Sequence, residues 1–189
     1  MKPVKGYEEA KAMGEGQERL PIGGYIVKIL DVKMLEYTWG DVIAASFDII
    51  EGDYAGYYAE NYKMQTQEDK KWKGVRRMNV PKGDGTEKDG WTLAAFKRDI
   101  EAVEDSNKGF HWDWDESKLK NKVVGAIFHD QEYDYNGQQG FWTACHHFAP
   151  VDVVREGKFK IPKPKMLNKD ASATNDFTLV DLPEGEFPF

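Results

Sequence analysis

The stretch Lys70-Lys71-Trp72-Lys73-Gly74-Val75-Arg76-Arg77 interleaves five cations with one indole ring. That mixture suits unpaired nucleic acid. Cations neutralise phosphates, and an aromatic face stacks on any exposed base, worth roughly 1–3 kcal/mol per base. The bland alternative is a solvated loop with an incidental Trp. Lys63 extends the basic run on its N-terminal side. Rings that could add to a stacking surface are Trp39, Tyr62 and Tyr135. They belong to a larger set, with Tyr57, Tyr58, Tyr133, Phe141 and Trp142, that is too numerous for one inner face of a small barrel. Some of these rings must sit outside or at loop tips.

Other reactive residue types are present without a supporting pattern. Cys145-His146-His147 looks like a ligand cluster, but strand alternation sends His146 to the side opposite Cys145 and His147. No second cysteine or spaced His pair completes a zinc site. Asp113, Asp115 and Glu116 have the chemistry of a Mg²⁺-dependent nuclease, yet Trp112 and Trp114 among them indicate packing. There is no Gly-rich phosphate loop, no G-x-S-x-G and no nucleophile–base pairing. The expectation is a non-enzymatic protein with no cofactor and no metal.

The elements that must position these residues follow from punctuation and alternation. Leu20-Pro21-Ile22-Gly23-Gly24 opens a long strand over 25–37, read with Ile26, Leu30, Val32 and Met34 on one side. A turn at 38–41 leads to a partner strand over 42–50, and a second turn precedes a third strand around 57–64. The polar, basic stretch 65–88 reads as a long functional loop. Apolar residues Trp91, Leu93, Ala94, Phe96, Ile100 and Val103 recur at helical spacing over 90–105, with Asp89 as the expected N-cap. Strands over 123–133 and 140–148 flank Asn136-Gly137, a strong hairpin signal, and a short helical turn follows at 151–156.

Three strands, one helix and two strands give a mainly β chain with the element order of an OB-fold, a five-stranded, partly open barrel. A sheet packed on one helix would give the same string. The expected organisation is a loosely ordered lead-in (1–19), the OB-like domain (20–165) and a disordered acidic tail (166–189). The 40% hydrophobic content suits a globular domain. The polar N-terminus lacks a secretory signal and no apolar run is long enough to span a membrane, so a cytoplasmic setting is expected.

The net charge of −7 counts against nucleic acid at first sight, but charge is segregated along the chain. Residues 61–82 carry seven cations against two acids, whereas 166–189 carry Lys169 against five acids. The chain finishes on Asp181, Glu184, Glu186, Phe187, Pro188 and Phe189. Such a tip offers a ring for an apolar pocket and carboxylates for a cationic rim.

The acidic run before Pro188-Phe189 resembles the tails with which bacterial single-stranded-DNA-binding proteins recruit replication and repair partners. The body, through Leu-Pro-Ile-Gly-Gly-Tyr at 20–25, Phe47-Asp48-Ile49, Glu51-Gly52-Asp53-Tyr54, Gly56-Tyr57-Tyr58, Ser106-Asn107-Lys108-Gly109-Phe110 and Trp112-Asp113-Trp114, resembles a bacteriophage and prophage family of OB-fold single-stranded-DNA binders. That resemblance implies a phage- or prophage-encoded protein of a bacterial host, acting in DNA replication or recombination. It implies non-specific single-stranded-DNA binding but no particular residues; the candidates Lys63, Lys70, Lys71, Trp72, Lys73, Arg76 and Arg77 and the rings of Trp39, Tyr62 and Tyr135 come from charge and ring content alone. Homo-oligomer formation is left open. The rival expectation is a protein-interaction or virion component that binds no nucleic acid.

Overall fold

Residues 23–37 alternate as a strand should, but the alternation changes phase once. In the computed structural model, which describes residues 18–135 and 137–167, β1 (Gly23–Tyr37) pairs with β2 (Gly40–Ile49) through a β-bulge between Ile29 and Asp31. Before the bulge Val27 and Ile29 lie opposite Ile49 and Phe47; after it Val32 and Met34 lie opposite Ala45 and Ile43. The extra residue moves the core-facing set from odd to even numbers and bends the strand. Simple alternation had grouped Ile26 and Leu30 with Val32 and Met34. The bulge sends Lys33 to the outer side and Val32 towards the core.

The remaining strands are β3 (Val75–Asn79), β4 (Val123–Tyr135) and β5 (Gln138–Ala149). All pairings are antiparallel, in the order β3-β2-β1-β4-β5. Phe47 on β2 meets Tyr58, Phe128 and Phe148 edge to face, with centroids 5.6, 6.0 and 6.2 Å away. These rings and the aliphatics of β1, β2 and β4 make one core, closed by Phe96, Ile100 and Val103 of α2 (Glu87–Ser106). Fully burying each such side chain contributes about 1.5–3 kcal/mol.

Two expectations fail between 57 and 79. The segment expected as the third strand is α1 (Tyr57–Met64), and β3 lies inside the stretch read as a loop. The helix forms because Asp48 reaches across to its first turn: its carboxylate accepts the amides of Tyr58 and Ala59, at 3.0 Å each. Gly56, at φ 78°, turns the chain into that turn. Tertiary capping thus overrides the strand preference of three tyrosines. β3 escaped notice because it is five residues long and its inward positions are Arg76 and Met78, which do not read as an apolar alternation. Gly74 admits the chain there, since a Cβ on it would stand 2.4 Å from the Phe47 carbonyl oxygen and 2.6 Å from the Tyr58 ring.

α2 also starts earlier than the spacing suggests. Thr86 caps it, accepting the Asp89 amide, while the Asp89 carboxylate accepts the amides of Lys82 and Gly83 and ties down the preceding loop. A 3₁₀ turn at Glu116–Leu119 and α3 (Val151–Arg155) complete the elements. The chain therefore has three α-helices among its described residues where one and a helical turn were expected. α3 packs with Phe159 on the outer side of β1 and β4, around Ile26 and Ile127.

No strand ladder joins β3 to β5 among the described residues, so the sheet does not close. A side-chain clasp spans the gap instead. Asp99 of α2, fully buried, accepts Arg76 Nε and Nη2 of β3 at 2.9 and 2.6 Å and the Phe148 amide of β5 at 3.0 Å. Arg98 supplies two longer contacts at 3.3 Å. Residues 163–167 run beside β4, where Lys165 donates to Asp130 O and accepts from Glu132 N. Among the described residues no helix is long and apolar enough to cross a membrane.

Candidate nucleic-acid interface

Register places three strands' outward residues in rows. Lys33 pairs with Ala44 and Ala44 with Arg77; Leu35 pairs with Val42 and Val42 with Asn79; Asp31 pairs with Ser46 and Ser46 with Val75. Adjacent strands are about 4.8 Å apart, so Lys33 and Arg77 stand about 10 Å apart across the central strand. Between them the floor is low and buried, made by Val42, Ala44 and Ser46. Two cations on one row can contact a phosphate chain. Because Val42, Ala44 and Ser46 between them are already buried, bases would stack on rings at the edge of the face and not on the sheet itself.

At one end of this face the β1–β2 turn carries Tyr37 and Trp39, stacked with centroids 5.0 Å apart and planes 7° from parallel. Trp39 is 48% exposed, so one indole face lies on Tyr37 and a large part of the ring stays open. Lys82 leans over the same turn, with its Cε 3.1 Å from where a Gly40 Cβ would be. Trp39, Lys82, Lys33 and Arg77 therefore share one side of the β1–β2–β3 half.

A second basic group forms at the end of α1. Lys63 lies in its last turn and Lys70 Nζ donates to the Lys63 carbonyl at 3.5 Å. Lys70 also sits 5.7 Å over the Tyr62 ring. Tyr62 is partly buried against Trp72, with centroids 5.9 Å apart. Gln65 braces the loop, its amide oxygen accepting Lys71 N and its nitrogen donating to Lys71 O. Lys71 Nζ lies 3.8 Å from Asp69, and Lys73 is exposed.

Two members of the basic stretch are structural. Trp72 is 4% exposed and its indole N–H donates to the Phe47 carbonyl at 3.0 Å, so the ring is core. Apolar area and a satisfied donor both favour that burial. Arg76 points inward because it follows the core phase of β3, and its guanidinium is committed to Asp99. Neighbouring Arg77 points the other way. One residue of register separates an arginine that holds the fold from one on the outer side of the sheet.

Tyr135 is set apart. β1 and β4 are antiparallel, so the β1–β2 and β4–β5 hairpins leave their shared ladder at opposite ends. Tyr135 is 61% exposed on the outer β4–β5 ribbon, with Tyr133 and Trp142 on the same face. The ribbon sequence 129–143 includes Asp130, Glu132 and Asp134 and no Lys or Arg. Asp181, Glu184, Glu186, Phe187, Pro188 and Phe189 lie outside the described residues.

The histidines depart from simple alternation. β5 has an extra residue opposite Ile127 and Phe128, where His147 and Cys145 are the paired residues. This bulge brings His146 and His147 together, Nδ1 to Nδ1 at 2.8 Å, and the His129 ring lies 4.7 Å from that of His146. Burial, then the charges around them, push both His146 and His147 down to about 4. Both are neutral at pH 7, one Nδ1 donating to the other. Burial pushes the Cys145 thiol up to about 12, which removes it as a nucleophile. Asp113 is paired with Lys118, and Asp115 caps the 3₁₀ turn by accepting Ser117 N.

Lys33 and Tyr37 belong to the face and went unremarked in the sequence, because the bulge that turns Lys33 outward leaves no composition signal. Compared with known proteins, the chain matches no family model and no curated protein.

Proposed function

We propose that this chain is a non-enzymatic single-stranded-DNA-binding protein on an OB-type scaffold, holding DNA without sequence preference on the outer side of β1, β2 and β3. The strand order β3-β2-β1-β4-β5, with α2 between β3 and β4 and an open seam at β3–β5, supports an OB-type reading. OB-folds present strands 2 and 3 and the β1–β2 and β4–β5 loops to oligonucleotides, and the cations here gather at the strands and the first of these loops. The observation that carries the reading is the Lys33–Ala44–Arg77 row beside the Tyr37–Trp39 stack. The resemblance to phage single-stranded-DNA binders supports a role in replication or recombination, and the acidic run before Pro188-Phe189 supports recruitment of partner proteins.

The test is titration with oligo(dT), following Trp fluorescence at several salt concentrations. Binding weakens as salt rises, because counterion release drives much of the affinity, and duplex of equal length binds less well. A flat titration at low salt refutes the reading. One observation favours a protein-interaction role instead: the β4–β5 ribbon exposes Tyr133, Tyr135, Phe141 and Trp142, the ring content of a protein interface, on strands that carry no Lys or Arg between 129 and 143. In that case the titration is flat and ring-to-Ala changes on the ribbon abolish capture of a protein partner.

A further inference from the structure

The outer face does not stop at its edge strand. A cleft of about 570 Å³ opens between β3 and the first half of α2, lined by residues that include Arg77, Asn79, Lys88, Trp91, Thr92 and Phe96. That volume lies in the range of roughly 300–1,000 Å³ typical of sites for small molecules and single groups. Trp91 is 72% exposed at its rim, the most open of the large apolar side chains described. Helical spacing predicted it for the core stripe, but burial on α2 begins at Phe96, so the turn carrying Trp91 overhangs the cleft.

Arg77 and Asn79 belong to both surfaces. They point outward in the rows of the β1–β2–β3 face, and they line the cleft because β3 is the edge strand. A chain lying across β2 and β3 therefore meets the cleft as soon as it passes over β3. Charge at the rim supports an anion there. Arg76 and Asp99 neutralise one another in the floor, leaving Arg77 and Lys88 against Glu87. Thr92 and Asn79 supply donors and acceptors for a base edge.

We infer that this cleft is a further nucleotide subsite, in which DNA leaving the sheet face passes over Arg77 and stacks a base on Trp91, with Lys88 on the adjoining phosphate. The inference rests on the single-stranded-DNA reading and extends it around the edge of the sheet. Trp91 then acts in binding and has no part in the core.

The experiment compares the full chain with its Trp91→Ala and Trp39→Ala variants over oligo(dT) lengths from about 4 to about 16 nucleotides, the span of site sizes seen for single barrels. Trp39→Ala weakens binding at every length. Trp91→Ala matches the parent on the shortest oligonucleotides and falls about 5- to 160-fold behind on the longer ones, the range expected for one lost stack. A parent that binds, with Trp91→Ala tracking it at all lengths, overturns the subsite and leaves the sheet-face reading intact. A parent that does not bind overturns both. Photocrosslinking the unmodified protein to 5-iodouracil oligonucleotides reads the same point without a variant: an adduct on Trp91 supports the subsite, and adducts confined to Trp39 and other residues overturn it.

Discussion

Arg76 and Arg77 are adjacent, chemically identical and, by register, opposite in role, so replacing each in turn tests the interface directly. Arg76 is mostly buried and spends two donors on Asp99, which is fully buried and also holds the Phe148 amide. Arg76→Ala leaves that carboxylate with only the Phe148 amide and the longer Arg98 contacts. Removing one partner of a buried pair costs about 3–5 kcal/mol, mostly the penalty of the charge left behind. For a domain of this size each kcal/mol lowers Tm by about 2–4 °C, so the midpoint falls by roughly 6–20 °C. Arg77→Ala removes an outward cation and costs less than about 0.5 kcal/mol of stability. Its effect is on DNA: one lost phosphate contact lowers the slope of log K against log salt by about 0.7 for a single strand. Urea unfolding read by Trp fluorescence gives the first quantity, and oligo(dT) titration at four or more salt concentrations gives the second. If Arg76→Ala unfolds where the parent does, the clasp does not hold β3 to α2 and β5. If Arg77→Ala keeps the parent's affinity and salt slope, the Lys33–Ala44–Arg77 row is not the DNA face.

Trp72→Ala is expected to lose about 3–5 kcal/mol in the same unfolding assay, as large core truncations do, whereas Trp39→Ala, half exposed and stacked on Tyr37, loses about 0.5–1.5 kcal/mol; equal losses would mean Trp72 is not core. The histidine pair makes stability depend on pH. Both pKa values are lowered on folding, so between about 6.5 and about 4 the unfolded chain binds more protons than the folded one. Their contribution is fully present above about pH 6.5 and is lost as pH falls towards 4, roughly 1–2 kcal/mol per histidine once solvent screening is allowed for. Urea midpoints measured from pH 7.5 to pH 4 should therefore drop more steeply for the parent than for a His146→Gln/His147→Gln variant, and identical slopes would refute the assignment.

Composition and punctuation carried much of the architecture. The long first hairpin, the helix before the last two strands, the Asn-Gly hairpin and the terminal helical turn all follow from local signals: alternation, helical spacing and turn residues that act over a few neighbours. Charge segregation likewise singles out 61–82 and with it Arg77, while the surplus of rings singles out Trp39. What local signals could not supply is phase and long-range pairing. A bulge of one residue turned Lys33 outward, and another brought His146 beside His147, because one extra residue reverses every later side chain in a strand. Asp48 made a helix from 57–64 by capping it from the end of the preceding strand, ten residues before Tyr58. Asp99, Phe47 and Tyr62 took Arg76 and Trp72 out of the basic loop and into the structure, since a buried carboxylate and a carbonyl in the core each demand a donor. The composition of the basic stretch was the sequence's to determine; which of its members face solvent was decided only when β3 found its register on β2.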